Sequence, residues 1–337
     1  MILATLARFA LALCLLGLGA WAAMALAMAG SDPGPIRLAL AAASALVTIA
    51  CVAAMLLRRR LLPALAIGIV PVALVGLWYA AIPARADRAW TADVARAPWA
   101  ERDGERVTIH NVRHFAWRSE TDFDPRWETR TVDLARLEGV DLVASYWMGE
   151  AIAHIMVSFI FADGPPLAVS IETRKEEGEP YSTLLGFFRR YELVYVVADE
   201  QDLIGLRTNV RAAPPEDVYL YRVAAPRDAA RRLFLAYVED INALHARPRF
   251  YHTATTNCTT MVLINNRVNG PVSLLNWKIL LSGYLPQLVW ERGRLARQMP
   301  FPELKLRSRI NDAARAAGLD APDFSSRIRA GLPVPAG

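Results

Sequence analysis

The sequence predicts an α+β protein in two parts: three membrane-crossing helices, then an exported domain whose helices pack on a mostly antiparallel sheet. Three observations carry this. The first 84 residues hold three long apolar runs and a single acidic residue, Asp32. The remainder alternates β-rich runs with turn-forming residues, and two later stretches change to helical spacing. At 54% hydrophobic and 21% charged over 337 residues, the chain is too apolar for an ordinary soluble enzyme and too charged for a pure membrane bundle.

The apolar runs are Leu3–Met28, Ile36–Leu57 and Leu61–Ala81. Each reaches the roughly 20 residues that cross a hydrocarbon core of about 30 Å. A cleavable signal peptide is the rival reading of the first run, but its apolar stretch exceeds the usual length of roughly 7–15 residues. Two further runs follow it, so residues 1–84 read as three spans. Pro63 and Pro71 are tolerable in such helices.

Orientation comes from the short loops. Arg58, Arg59 and Arg60 follow the second run, whereas the loop after the first is nearly neutral. Positive loops stay inside, which predicts an inner-membrane protein with a cytoplasmic amino terminus and a periplasmic carboxy-terminal domain. The net charge is +5 for the chain. Five arginines and Asp32 give +4 up to Ala84, so the exported part carries only about +1. The sequence pI of 9.3 is therefore a topology signal, and nothing concentrates basic residues for nucleic acid.

Residues 85–104 read as a linker or a short interfacial helix, with Trp90 and Trp99 suited to the membrane surface. The domain proper, 105–337, begins with a strand-like run over Arg106–Ser119. Ala153–Arg174 reads as a hairpin turning at Asp163-Gly164-Pro165-Pro166. Tyr191–Asp199 and Asp217–Val223 are further strands. Over Pro226–Pro248, Leu233, Tyr237, Ile241 and Leu244 recur at helical spacing, and Pro248 stops the helix. A second helix starts at Cys258, and the tail reads as helical pieces broken at Gly283 and Pro286.

Cys14 and Cys51 fall within spans, where they act as small apolar residues. Cys258 is alone in the exported domain and has no partner there for a disulfide. It is a buried bystander, an intermolecular linker or a nucleophile. Thr255, Thr256 and Asn257 before it are good N-cap residues, and Met261–Ile264 supply a buried face. That places Cys258 in a first helical turn, where unpaired amides and the helix dipole favour a thiolate. The same amides, with Asn257 and Thr259, form a candidate oxyanion site. The plainer reading is a cysteine filling core space near a helix start.

A thiol nucleophile needs a base, and there are five histidines: His110, His114, His154, His245 and His252. His154 opens an otherwise apolar strand, where a titratable group is costly without partners or a task. On the facing half of the hairpin, Ser170, Glu172 and Arg174 alternate onto one face. Glu172 is the candidate third member of a Cys-His-acid set, against a plain solvated-strand reading for Glu172 and Arg174. Ser170, Arg174, Trp147 and Tyr251 are candidates for substrate contacts or for the shell behind the pair.

The blocks "SYWMGEAIAHIMVSFIFADGPPLAVSIETRKEEGEPYS", "YELVYVVADEQDLIGLRTNVR", "DVYLYRV", "FYHTATTNCTT" and "LNWKILLSGYLP" together resemble the Lnb N-terminal periplasmic domain family. That family is related to Lnb-type lipoprotein N-acyltransferases. The resemblance runs from about residue 105 to about residue 330. It implies a papain/NlpC-like thiol fold in permuted order, histidine before cysteine, and maps the catalytic pair onto His154 and Cys258. The implied activity is a membrane-anchored cysteine acyltransferase acting on lipid or lipoprotein acyl esters through an acyl-enzyme, with no cofactor. Fold and thiol chemistry carry over by such a resemblance better than substrate does. A cell-wall peptidase or amidase of NlpC-like type and a non-enzymatic membrane-tethered envelope domain are the alternatives. Scattered histidines and one exported cysteine give no metal ligand set, and there is no glycine-rich phosphate loop.

Overall fold

The computed structural model describes residues 2–57 and 60–336. Arg58 and Arg59, which weigh most in the orientation argument, lie outside them. The chain forms two compact units. One comprises Met1–Ala86 with Pro180–Glu192 and Phe250–Thr253; the other comprises Asp87–Glu179, Leu193–Arg249 and Ala254–Gly337.

The first unit contains the three expected helices, α1 (Ile2–Met28), α2 (Pro35–Leu57) and α3 (Leu61–Ala81), each long and apolar enough to cross a membrane. Their outward residues are large and apolar: Leu3, Leu57 and Leu77 are among the most exposed. Inside the bundle, small residues let backbones approach closely. A β-carbon on Gly19 would lie 2.2 Å from Thr48 Oγ1, and one on Gly68 would lie 2.8 Å from Leu15 Cδ2. Pro180–Glu192 is built onto the carboxy-terminal ends of α1 and α3. Phe188 is buried with Ala22, Ala25, Val72 and Val75.

The second unit is a mixed sheet with helices packed on it. Its strands are β1 (Trp99–Asp103), β2 (Arg106–Arg113), β3 (Ala116–Trp117), β4 (Phe123–Asp124), β5 (Trp127–Asp133), β6 (Leu137–Tyr146), β7 (Ala153–Phe161), β8 (Leu167–Arg174), β9 (Glu192–Ala198) and β10 (Asp217–Arg222). The order is β1-β2-β9-β8-β7-β6-β10, with β5 also on β2 and β3–β4 forming a separate ribbon. The β1–β2, β2–β5, β6–β7, β6–β10 and β7–β8 ladders are antiparallel, and the short β2–β9 contact is parallel. This is an α+β architecture, as the alternation of β-rich runs implies.

Three local outcomes differ from the expectation. Residues 99–103 are not a linker: they pair with Arg106–His110 across a turn at Gly104, which sits at φ 57°. Trp90 is buried rather than interfacial, with Arg174 over its ring at 4.5 Å. Strand β6, next to the edge strand β10 and buried along most of its length, carries Glu138 and Asp141 in its first half and does not declare itself in sequence.

Two helices fix the site's surroundings. α4 (Glu200–Gly205) follows β9. α5 (Arg227–Ala246) presents Leu233, Phe234, Tyr237, Ile241 and Leu244 to the sheet. Phe159 meets Phe234 and Tyr237 edge-to-face at 5.0 and 5.6 Å, a geometry worth about 0.5–1.5 kcal/mol per pair beyond area burial. α6 (Cys258–Asn265) then begins at the thiol.

Candidate active site

His154 is the second residue of β7, and strand register arranges what faces it. Ser145 of β6 lies opposite His154, while Met156 pairs with Ser170 of β8. Carrying that register two residues further sets Glu172 opposite His154, on the face that Ser170 shares. The side chains meet accordingly. His154 Nε2 is 2.6 Å from Ser170 Oγ, and that hydroxyl donates to Glu172 Oε1 at 2.6 Å. Nε2 also lies 3.1 Å from the same carboxylate oxygen. The imidazole is thus held both directly and through a fully buried serine.

Cys258 stands next to the His154 ring, close enough for charge and hydrogen-bond coupling between thiol and imidazole. Cys258 is half-buried at the start of α6. Burial pushes its thiol up, but the His154 charge, the bond to that ring and a bond from the Ile155 backbone outweigh it, so the thiol lies below its ordinary value. For His154, burial acts downward, yet the Glu172 charge and the neighbouring thiolate raise it to about 9. Burial likewise opposes ionisation of Glu172, but the His154 charge, Arg207 and Ser170 hold it well below the usual carboxylate range. The arrangement therefore favours a thiolate–imidazolium pair backed by an ionised carboxylate.

Behind Glu172 stands a buried charge network absent from the sequence reading. Arg207 lies in a π-helical turn over Leu206–Val210, a form that often marks functional sites. It donates Nη2 to Glu172 Oε1 at 2.8 Å and Nη1 to Leu203 O at 2.8 Å. Its Nε lies 3.8 Å from Glu216 Oε2. Glu216 in turn accepts from Ser145 Oγ and Arg211 Nη1. The one signal for Arg207 is an arginine amid the apolar run "LIGLRTNV"; Glu216, after two prolines, gives none.

The amino terminus of α6 changes the expected oxyanion site. Asn257 Oδ1 accepts from the Thr259 and Thr260 amides, each at 2.9 Å, and Thr260 Oγ1 accepts from the Asn257 amide at 3.0 Å. This capping box occupies two amides assigned to an oxyanion. Among the described residues nothing accepts from the Cys258 amide, the first-turn donor that remains. Thr259 is buried, its hydroxyl 3.9 Å from Sγ.

The other candidates divide. Ser170 joins the site, between histidine and carboxylate. Arg174 does not: its guanidinium reaches Val94 O at 3.0 Å and Ala95 O at 2.7 Å, where two unpaired carbonyls at a 3-10 turn outcompete the hairpin face. Trp147 is half-buried in the turn between β6 and β7. Tyr251 belongs to the unit of the spans, its amide bonded to Tyr191 O at 2.9 Å. The remaining histidines have other neighbours: His110 stacks on Trp99 at 3.9 Å, His114 bonds Asp199, His245 faces Trp99, and His252 meets Phe187 edge-on.

Fold and site define a membrane-associated protein whose α+β domain gathers a cysteine, a histidine and a glutamate. Residues 123–283 match the family model of the Lnb N-terminal periplasmic domain. His154, Ser170, Glu172, Arg207, Glu216 and Cys258 all fall within the matched stretch. No curated protein and no solved structure matches the chain.

Proposed function

We propose that the protein is a membrane-anchored thiol acyltransferase acting on lipid or lipoprotein acyl esters. The observation that supports this best is the convergence of Cys258, His154, Ser170 and Glu172, with the thiol lowered and the imidazole raised. In this reading the domain faces the periplasm and the amino terminus the cytoplasm, an orientation with which three candidate spans and the periplasmic-domain match are compatible.

In this mechanism His154 holds the thiol proton and the Cys258 thiolate attacks the ester carbonyl, forming a carbon–sulfur bond. The oxyanion draws on the Cys258 amide. Collapse breaks the ester carbon–oxygen bond, and the leaving alkoxide takes the proton from His154. An amine, such as a lipoprotein amino terminus, next attacks the thioester while His154 accepts its proton. Amide formation then releases the thiolate. Glu172, through Ser170, keeps the imidazole oriented and stabilises its protonated form.

The test is intact mass of the purified chain after incubation with a diacyl lipopeptide. Wild type should gain one acyl chain and Cys258→Ala none. An adduct that persists in Cys258→Ala overturns the mechanism. Release of peptides from purified sacculi without acyl transfer supports the peptidase alternative instead.

A further inference from the structure

The segment Pro180–Glu192 interrupts the domain's β-rich course and is built into the helical bundle rather than the sheet. Arg189, at φ 49°, a conformation rare outside glycine, directs one guanidinium nitrogen at three carbonyls ending α3: Tyr79 O at 2.7 Å, Ala80 O at 3.1 Å and Ile82 O at 3.2 Å. These are acceptors a helix leaves unpaired, where a cation is favoured. Gly30, just beyond α1, donates to Arg189 O at 3.1 Å and accepts from Arg190 at 3.0 Å. Tyr79 Oη reaches Phe187 O at 3.4 Å, and Phe188 is buried between α1 and α3. The segment is thereby fixed at the level where two spans end.

Its other large side chains keep much of their surface exposed, although Tyr181 stacks on Tyr191 at 6.2 Å and Phe187 meets His252 edge-on at 5.4 Å. Tyr181, Leu184 and Phe187 are 49%, 50% and 38% exposed. They recur every three residues, and Leu185–Phe187 is a 3-10 turn, so Leu184 and Phe187 lie one above the other on one face. Apolar and aromatic side chains over arginines, at the depth of helix ends, match the interfacial zone of a bilayer.

We infer that Pro180–Phe188 is a strap embedded in the lipid interface, a second membrane contact of the exported chain beyond the three spans. The strap is also tied to the stretch that precedes the thiol. Thr253 donates its amide to Gly186 O at 3.0 Å and its hydroxyl to Thr183 O at 2.8 Å. A β-carbon on Gly186 would stand 2.3 Å from Thr253 Oγ1, so glycine is required for the approach. The inference rests on the spans and not on the thiol chemistry.

Photocrosslinking tests it. Benzoylphenylalanine replaces Leu184 or Phe187 in the full chain, which is reconstituted in phosphatidylethanolamine–phosphatidylglycerol vesicles carrying an alkyne-tagged phospholipid. Leu77, exposed on α3, is the bilayer reference, and Val268, 47% exposed in the other unit, is the aqueous reference. Lipid adducts at 184 and 187 should come within about threefold of those at 77 and exceed those at 268 at least fivefold. Labelling at the level of 268 while 77 labels strongly overturns the strap, as does crosslinking to a second copy of the chain in place of lipid. The conservative Phe187 replacement keeps the test valid if the Leu184 variant fails to fold.

Discussion

Replacing Glu172 by glutamine isolates the charge behind His154. Glutamine keeps the shape and still accepts from Ser170 and Arg207, so the change falls on the carboxylate 3.1 Å from Nε2. A hydrogen bond to a charged group is worth about 1.5–3 kcal/mol. At 1.36 kcal/mol per pKa unit, its loss lowers the thiolate–imidazolium population roughly ten- to hundred-fold. The sign follows from the two shifts. Cys258 is lowered and His154 raised to about 9, so the thiolate of the parent is populated below the ordinary thiol range. In Glu172→Gln the imidazolium loses its support, and thiolate appears only as pH rises toward the ordinary value. The assay is the iodoacetamide alkylation rate of Cys258 between pH 5 and 10, in a background carrying Cys14→Ser and Cys51→Ala. At neutral pH the variant should react about tenfold or more slowly, with its midpoint displaced upward. A pH profile superimposable on the parent's, with both proteins folded, refutes the reasoning.

Ser170→Ala removes the bridging hydroxyl but leaves the direct histidine–carboxylate contact, so alkylation at neutral pH should fall by less than in Glu172→Gln. The expected loss is about 0.5–1.5 kcal/mol, or roughly two- to tenfold, in the same assay. Gly283→Ala tests the loop beside His154. Gly283 donates to Ala151 O at 3.0 Å, and an added β-carbon would lie 2.0 Å from Glu150 O. Relieving that overlap should cost about 1–3 kcal/mol, read as a lowered unfolding midpoint in urea. A midpoint equal to the parent's contradicts the packing.

The three spans were legible because a hydrocarbon solvent imposes length and composition directly on sequence. They emerge as Ile2–Met28, Pro35–Leu57 and Leu61–Ala81, within a residue of the runs read from hydropathy. The hairpin was legible for a similar reason: period-two patterning and Asp163-Gly164-Pro165-Pro166 specify β7, its turn and β8. That register alone placed Ser170 and Glu172 toward His154. Asn257 as a cap is equally local, since its partners Thr259 and Thr260 lie within three residues. By itself, then, the sequence determined whatever depends on neighbours a few residues apart or on the membrane as solvent.

Only the tertiary structure decided the rest. Arg174 follows the strand alternation that would aim it at His154, yet two carbonyls some 80 residues earlier in the chain capture it. Arg207 and Glu216 enter from a π-helical turn and a strand end, 35 and 44 residues beyond Glu172, and no pattern announces a buried arginine's chosen carboxylate. Pro180–Glu192 docks its arginines on helix ends 107 to 160 residues away. Long-range pairing of unsatisfied carbonyls and buried charges depends on which groups folding leaves without water, and that is settled only once the layers have packed.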